Sequence, residues 1–261
     1  MNTVITVDFN TTGRRDGSFE DLAKNLGDLY AFYEPNFPEW GGVHFPAMVD
    51  YIDYWLGEDF WSDIGQVTHI IGHCAGAAFL PSLAKALECR DIRIGSLIAM
   101  DPAVPTLGTI GTQFWQQIDA YRNTLSAREV GEIQAGIQDV VEQGDGIPVS
   151  CAKLCKMAAD AAAEAYGRLG IGERLLRDYL RELRRYSAYL VAASEVDPCT
   201  FLEHVTVVSS DSAVHGTAAL RQQHGSIALR GEHRVSSSHE ALLKDAAASQ
   251  IVGELLAAVH R

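Results

Sequence analysis

At 261 residues, 47% of them hydrophobic and 21% charged, the chain has the composition of a globular protein, which excludes disorder or low complexity as its main character. Its 34 acidic residues outweigh 21 basic ones, for a net charge of −13, and an acidic chain repels phosphate backbones, so nucleic-acid binding is not expected. No apolar run reaches the roughly 18 residues that span a bilayer, residues 1–10 carry no basic n-region or cleavage site, and the five cysteines (an odd number) read as reduced thiols, so a soluble cytoplasmic protein is expected.

The run at residues 4–9 is short, apolar and rich in β-branched side chains, and predicts a buried strand. After the loop 10–17, Ser18 caps a helix through Leu26, Asp21 completes a capping box, and Gly27 ends it. A second strand is predicted over 29–33. Pro46 opens a helix on which Met48, Ile52, Trp55 and Leu56 fall at helical spacing. Residues 67–72 predict a third strand, about 75–87 an Ala- and Leu-rich helix, and 92–100 a fourth strand that ends at Asp101-Pro102. From about 105 to 198 the pattern is helical, with candidates at 111–123, 126–142, 150–168 and 173–193. Strands resume over 201–209 and 226–230, and a helix over 241–259 closes the chain. Such alternation argues an α/β fold, a mostly parallel sheet flanked by helices. Residues 1–104 and 199–261 are its expected core. Residues 105–198 are an insertion, expected over the carboxyl ends of the strands as a large helical lid.

The strongest local signal is Gly72-His73-Cys74-Ala75-Gly76, set between a strand and a helix. It is the Gly-x-nucleophile-x-Gly pattern of a nucleophile elbow, with Cys as the nucleophile. The turn is tight and strained, and glycines two residues to either side avoid collision with the neighbouring strand and helix. A following helix N-terminus favours the Cys74 thiolate and a developing oxyanion, for which the Ala75 N–H is the natural donor. A thiol needs a base. His239 lies after the last strand and before the final helix, where this elbow fold places its histidine, and His233 is its substitute. His73 is expected to point away from the nucleophile. The acid that fixes the imidazole is Asp101, ending the fourth strand, or Asp211, following the strand after the insertion; Asp101 is favoured because a carboxylate ending so apolar a strand needs a reason.

On these motifs the chain resembles the α/β-hydrolase thioesterase domains that release finished chains from polyketide synthases and nonribosomal peptide synthetases. The resemblance runs over nearly its whole length: Phe9-Asn10-Thr11-Thr12-Gly13 matches the loop after strand one, Gly72 to Gly76 the elbow, and Asp101, 27 residues after Cys74, the acid. It implies Cys74 as nucleophile, Asp101 as acid, His239 as base and Thr12 as second oxyanion donor. Discrete editing members of the superfamily place the acid after the post-lid strand, here Asp211. The resemblance further implies an acyl thioester substrate on the phosphopantetheine of an acyl or peptidyl carrier protein, no cofactor and no metal, and leaves a homodimer open. Two features depart from the family: the first loop lacks a proline pair, and Cys replaces the commoner Ser. An acyl-Cys is a thioester and keeps its transfer potential, which suits a demanding acceptor such as an amine or a ring-closing nucleophile.

Arg174, Arg177, Arg181, Arg184 and Arg185 recur at helical spacing, a candidate docking stripe for the carrier or a solvated face laced by pairs such as Glu173–Arg177. Cys151 and Cys155, four apart, read as packing residues rather than half a metal site. Two other readings are a dienelactone-hydrolase-like Cys enzyme acting on small lactones, against which the size of the lid counts, and a non-catalytic acyl-binding protein of the same fold.

Overall fold

The computed structural model describes residues 2–9, 16–39, 45–57 and 68–258. In chain order the described elements are β1 (Asn2–Val7), α1 (Phe19–Leu26), β2 (Tyr30–Tyr33), α2 (Met48–Leu56), β3 (Thr68–His73), α3 (Leu80–Glu88) and β4 (Ile94–Met100). Then come α4 (Leu107–Asp119), α5 (Ala127–Gln143), α6 (Ile147–Leu169), α7 (Glu173–Ala193), α8 (Pro198–Phe201), β5 (Thr206–Ser209), α9 (Gly216–His224), β6 (Gly231–Arg234) and α10 (Ala246–Ala257). The chain divides into two compact units, one of residues 1–37, 48–104 and 195–261, the other of 38–47 and 105–194.

The first unit holds the sheet. Among the described residues its six strands run β2-β1-β3-β4-β5-β6, and every neighbouring pair is parallel. Parallel strands need both faces covered. Val4, Ile71, Ile98, Met100 and Val208 of the sheet pack with Phe19, Leu22, Val252 and Leu256 from α1 and α10. A second cluster is aromatic: Trp55 lies 5.2 Å from Phe79 and 5.8 Å from Phe37, and its indole N–H donates to the Asn36 carbonyl at 3.0 Å. The expected cap of α1 is present, with Ser18 and Asp21 exchanging hydrogen bonds and Gly27 taking φ 68.

Four elements of the first unit differ most from expectation. The helix after the elbow opens as a 3-10 turn over Cys74–Phe79 before α3 begins. Residues 201–204 are helical because the Asp197 carboxylate caps the turn at the Cys199 N–H, 2.9 Å, and Pro198 starts it; only at Val205 does the backbone extend. The last strand falls at Gly231–Arg234, beyond 226–230. It is a polar edge strand whose register comes from backbone pairing with β5 and whose Glu232 is held by Arg221 at 2.7 Å, so no apolar pattern marks it. The final helix begins anew at Asp245, whose carboxylate accepts from Ala247 and Ala248 N–H groups, after a 3-10 turn at Leu242–Lys244.

The second unit contains α4 to α7. Thr106 caps α4 with a box to Thr109, which sets its start four residues before the predicted 111. Ser126 and Glu129 form the same device on α5, and Gly170 at φ 66 ends α6.

Candidate active site

Parallel strands deliver their carboxyl ends to one edge of the sheet. Asp8 follows β1, Cys74 follows β3, Asp101 follows β4, Ser210 follows β5, and His239 follows β6. The order reverses at β1, flanked by β2 on one side and β3 on the other, and ligands of open α/β sheets bind outside such a switch point. Asp8 and Cys74 stand at that place.

Cys74 has φ 52, a left-handed conformation that costs a non-glycine residue roughly 1–3 kcal/mol. Its carbonyl accepts from the Ala103 N–H at 3.0 Å, which ties the elbow to the end of β4. Cys74 is half-buried and the next five residues are buried. Ala75 is the second residue of the 3-10 turn, where a backbone N–H has no partner within the helix. A Cβ on Gly72 would stand 2.6 Å from Ala77 Cα and 2.7 Å from Ala77 N, both backbone. Gly72→Ala therefore forces the elbow apart; the expected loss, read by urea unfolding, is roughly 1–3 kcal/mol.

Asp101 is fully buried and also left-handed, φ 42. Its Oδ1 accepts from the Ser210 N–H at 2.8 Å and its Oδ2 lies 2.9 Å from His239 Nδ1. Burial would raise its pKa, but the hydrogen bonds from His239 and Ser210 outweigh that and hold it below the ordinary carboxylate value. An ionised carboxylate only accepts, so His239 Nδ1 is the donor and Nε2 is left as the basic nitrogen.

His73 is packed between two groups of the sheet edge. Its ring lies near-parallel to that of His239, 5.0 Å between centroids and 19° between planes, and its Nδ1 is 3.2 Å from Asp8 Oδ2. The residue preceding Cys74 thus lies beside His239. His215 stacks on His239 more closely still, 3.9 Å and 7°. Asp8 and His215 are not among the residues to which the sequence patterns point. Asp8, like Asp101, is a carboxylate at the end of an apolar strand, a signal that the sequence carries; nothing local marks His215.

Asp211 is exposed, and among the described residues no hydrogen bond reaches its carboxylate. With Ser212, Ser237, Ser238 and Glu240 it lines a cavity of about 420 Å³ that His239 also borders. His233 is exposed on β6. Thr12 and the rest of the loop 10–15 lie outside the described residues, as does Val67. Of the arginine stripe, Arg177 pairs with Glu173 at 3.8 Å, Arg181 with Asp178 at 3.2 Å and Glu39 at 3.7 Å, and Arg185 with Glu182 at 2.8 Å; Arg174 and Arg184 are exposed on the same helix. Cys151 is buried, and Cys155 donates to the Ser187 hydroxyl at 3.0 Å. Among the described residues no group of three or more His, Cys, Asp or Glu could hold a metal ion, and no helix is long and apolar enough to cross a membrane.

No protein-family model matches the sequence, and no curated protein does. Solved structures do. A four-domain nonribosomal peptide synthetase bound to AMP and glycine superposes with a TM-score of 0.57 at 11% identity, covering 99% of this chain and 19% of the synthetase, so the chain spans about a fifth of that protein. An esterase from Thermogutta terrifontis with malate bound gives 0.54 at 14% identity, covering 100% of this chain and 91% of the esterase. The NocB thioesterase domain, in covalent complex with a fluorophosphonate nocardicin G analogue, gives 0.51 at 10% identity, covering 98% and 94%. At these identities the likeness establishes the fold, which is that of the α/β-hydrolases.

Proposed function

We propose that the protein is a thioesterase that takes an acyl chain, polyketide or peptide, from a carrier-protein thioester onto Cys74 and releases it by cyclisation, aminolysis or hydrolysis. The observation that carries this reading is the contact of the buried Asp101 with His239 at 2.9 Å, at the sheet corner where Cys74 is held at φ 52. His239 Nε2 accepts the thiol proton, and the sulfur attacks the thioester carbonyl carbon. The tetrahedral oxyanion is held by the Ala75 N–H and, in this reading, by Thr12. The C–S bond to the carrier breaks, and its thiolate leaves with the proton carried by the imidazolium. An amine, hydroxyl or water then gives its proton to His239 and attacks the acyl-Cys, which restores the free thiol.

Cysteine in this place favours a nitrogen or ring-closing acceptor, since the acyl-enzyme is itself a thioester. A carrier phosphate would need positive charge on a chain of net charge −13; Arg174 and Arg184 are the stronger candidates because Arg177, Arg181 and Arg185 already face acids of this chain.

Intact-mass spectrometry after mixing with an acyl-N-acetylcysteamine thioester that bears an internal amine tests the reading. The expected result is an acyl increment that maps to the Cys74 peptide, followed by a cyclic product. Free acid as the sole product would remove cyclisation and leave hydrolysis. A thioester that is neither consumed nor transferred to the protein would remove the enzyme reading altogether.

A further inference from the structure

The loop between β5 and α9 is built around Asp101. Ser210 donates its N–H to one carboxylate oxygen. Six residues on, Gly216 has φ +60, and a Cβ there would overlap that same oxygen, so only glycine lets the chain pass so close. Between these two points the backbone at His215 is extended, φ −131 and ψ 169, and its ring lies flat on His239, 3.9 Å between centroids and 7° between planes. Ser212 Oγ, 2.8 Å from His215 Nδ1, fixes the ring in its own plane. Three independent contacts therefore bring this side chain to the face of the base.

We propose that His215 is a positioning residue for His239: its neutral imidazole holds the ring of the base in place and stabilises, through its π face, the positive charge that ring acquires with the thiol proton. The proposal rests on the reading of Cys74 and His239 as nucleophile and base. A cation over an aromatic face is attracted by the ring quadrupole, most strongly where water is excluded. The partner ring must be uncharged, because a second imidazolium 3.9 Å away would repel the first. Burial first, and then the charge of His239, hold His215 below the ordinary histidine pKa, in keeping with a neutral ring. The other titratable groups around the two rings are Asp101 from the end of β4, His73 from the end of β3, and Glu240 and Asp211 beside the cavity that His239 borders. Of these, Asp101 alone hydrogen-bonds the ring of His239 among the described residues. The proton is thus drawn to His239, while His215 Nδ1 meets the Ser212 hydroxyl.

The test needs no knowledge of the substrate. Iodoacetamide alkylation of Cys74, followed by peptide mapping across pH, reports how readily the thiolate–imidazolium pair forms. His239→Ala should move the profile toward higher pH, as expected for a thiol without its base. His215→Leu, which fills the space but has no π face, should move it the same way by about 0.5 to 1 pH unit, a fall of roughly 3- to 10-fold in rate at neutral pH. His215→Phe, which keeps a π face, should stay close to the native profile. Thermal melts establish that each variant is folded. A Leu profile coincident with the native one, or Phe and Leu profiles equally displaced, would overturn the role of His215 while His239→Ala still responds. No response from His239→Ala would overturn the base reading, and this proposal with it.

Discussion

Cys74→Ala is expected to abolish the acyl increment and to lower thioester turnover by roughly 10⁴-fold or more, since the members of a nucleophile–base–acid set act as a unit and losing one forfeits most of their joint effect. The fold should survive. The strain at φ 52 comes from the elbow backbone and its carbonyl bond to Ala103, neither of which needs the sulfur. A melting temperature near the native one, beside lost turnover, would separate chemistry from folding. Cys74→Ser is the more discriminating partner. Its hydroxyl keeps the geometry, but the acyl-enzyme becomes an oxygen ester, a weaker donor toward amines. With a substrate that offers both an internal amine and access to water, the ratio of cyclic product to free acid should fall in the Ser variant. A Cys74→Ala protein that retains turnover within tenfold of native would show that the nucleophile lies elsewhere.

The parts of this site that are legible in the sequence are those set by neighbours along the chain. Gly72 must lack a side chain because Ala77, five residues on, fills its space, and both glycines of the elbow can be read off a single strand–helix junction. The cap of α1 is equally local, a serine and an aspartate three residues apart. His239 could be placed because chain order in this fold is constrained. What stayed hidden arises from parallel strands bringing distant segments to one edge. Asp8 and His73 are 65 residues apart and meet at 3.2 Å because β1 and β3 are adjacent. His215 reaches His239 only through a loop whose course depends on Gly216 clearing Asp101, and no hydrophobic period reports that. The polar strand β6 escaped detection for the same reason: backbone pairing to β5 places it, not burial of its side chains.

The choice between the two carboxylates that the sequence left open is an experiment with opposite expectations. Asp101→Asn should lower turnover by roughly 10⁴-fold, because an amide in place of the carboxylate no longer enforces the tautomer of His239 nor stabilises its positive charge. Asp211→Asn should leave turnover within a few-fold of native, since its exposed carboxylate accepts no hydrogen bond among the described residues. Asparagine is the clean replacement at 101, where φ is 42, because it tolerates the left-handed region and adds no backbone strain. Stability supplies a second, independent reading. The pKa of Asp101 is depressed in the folded protein, so its ionised form stabilises the fold above the unfolded-state pKa, and that contribution is lost as pH falls through the folded value. The native protein should thus exceed Asp101→Asn in unfolding free energy at neutral pH by about 1–3 kcal/mol, the worth of hydrogen bonds to a buried charge. The gap should narrow only below about pH 4, where a free aspartate protonates. If Asp211→Asn instead carried the 10⁴-fold loss, the Asp101–His239 contact would be structural, and the base would have to turn toward the cavity to find its partner.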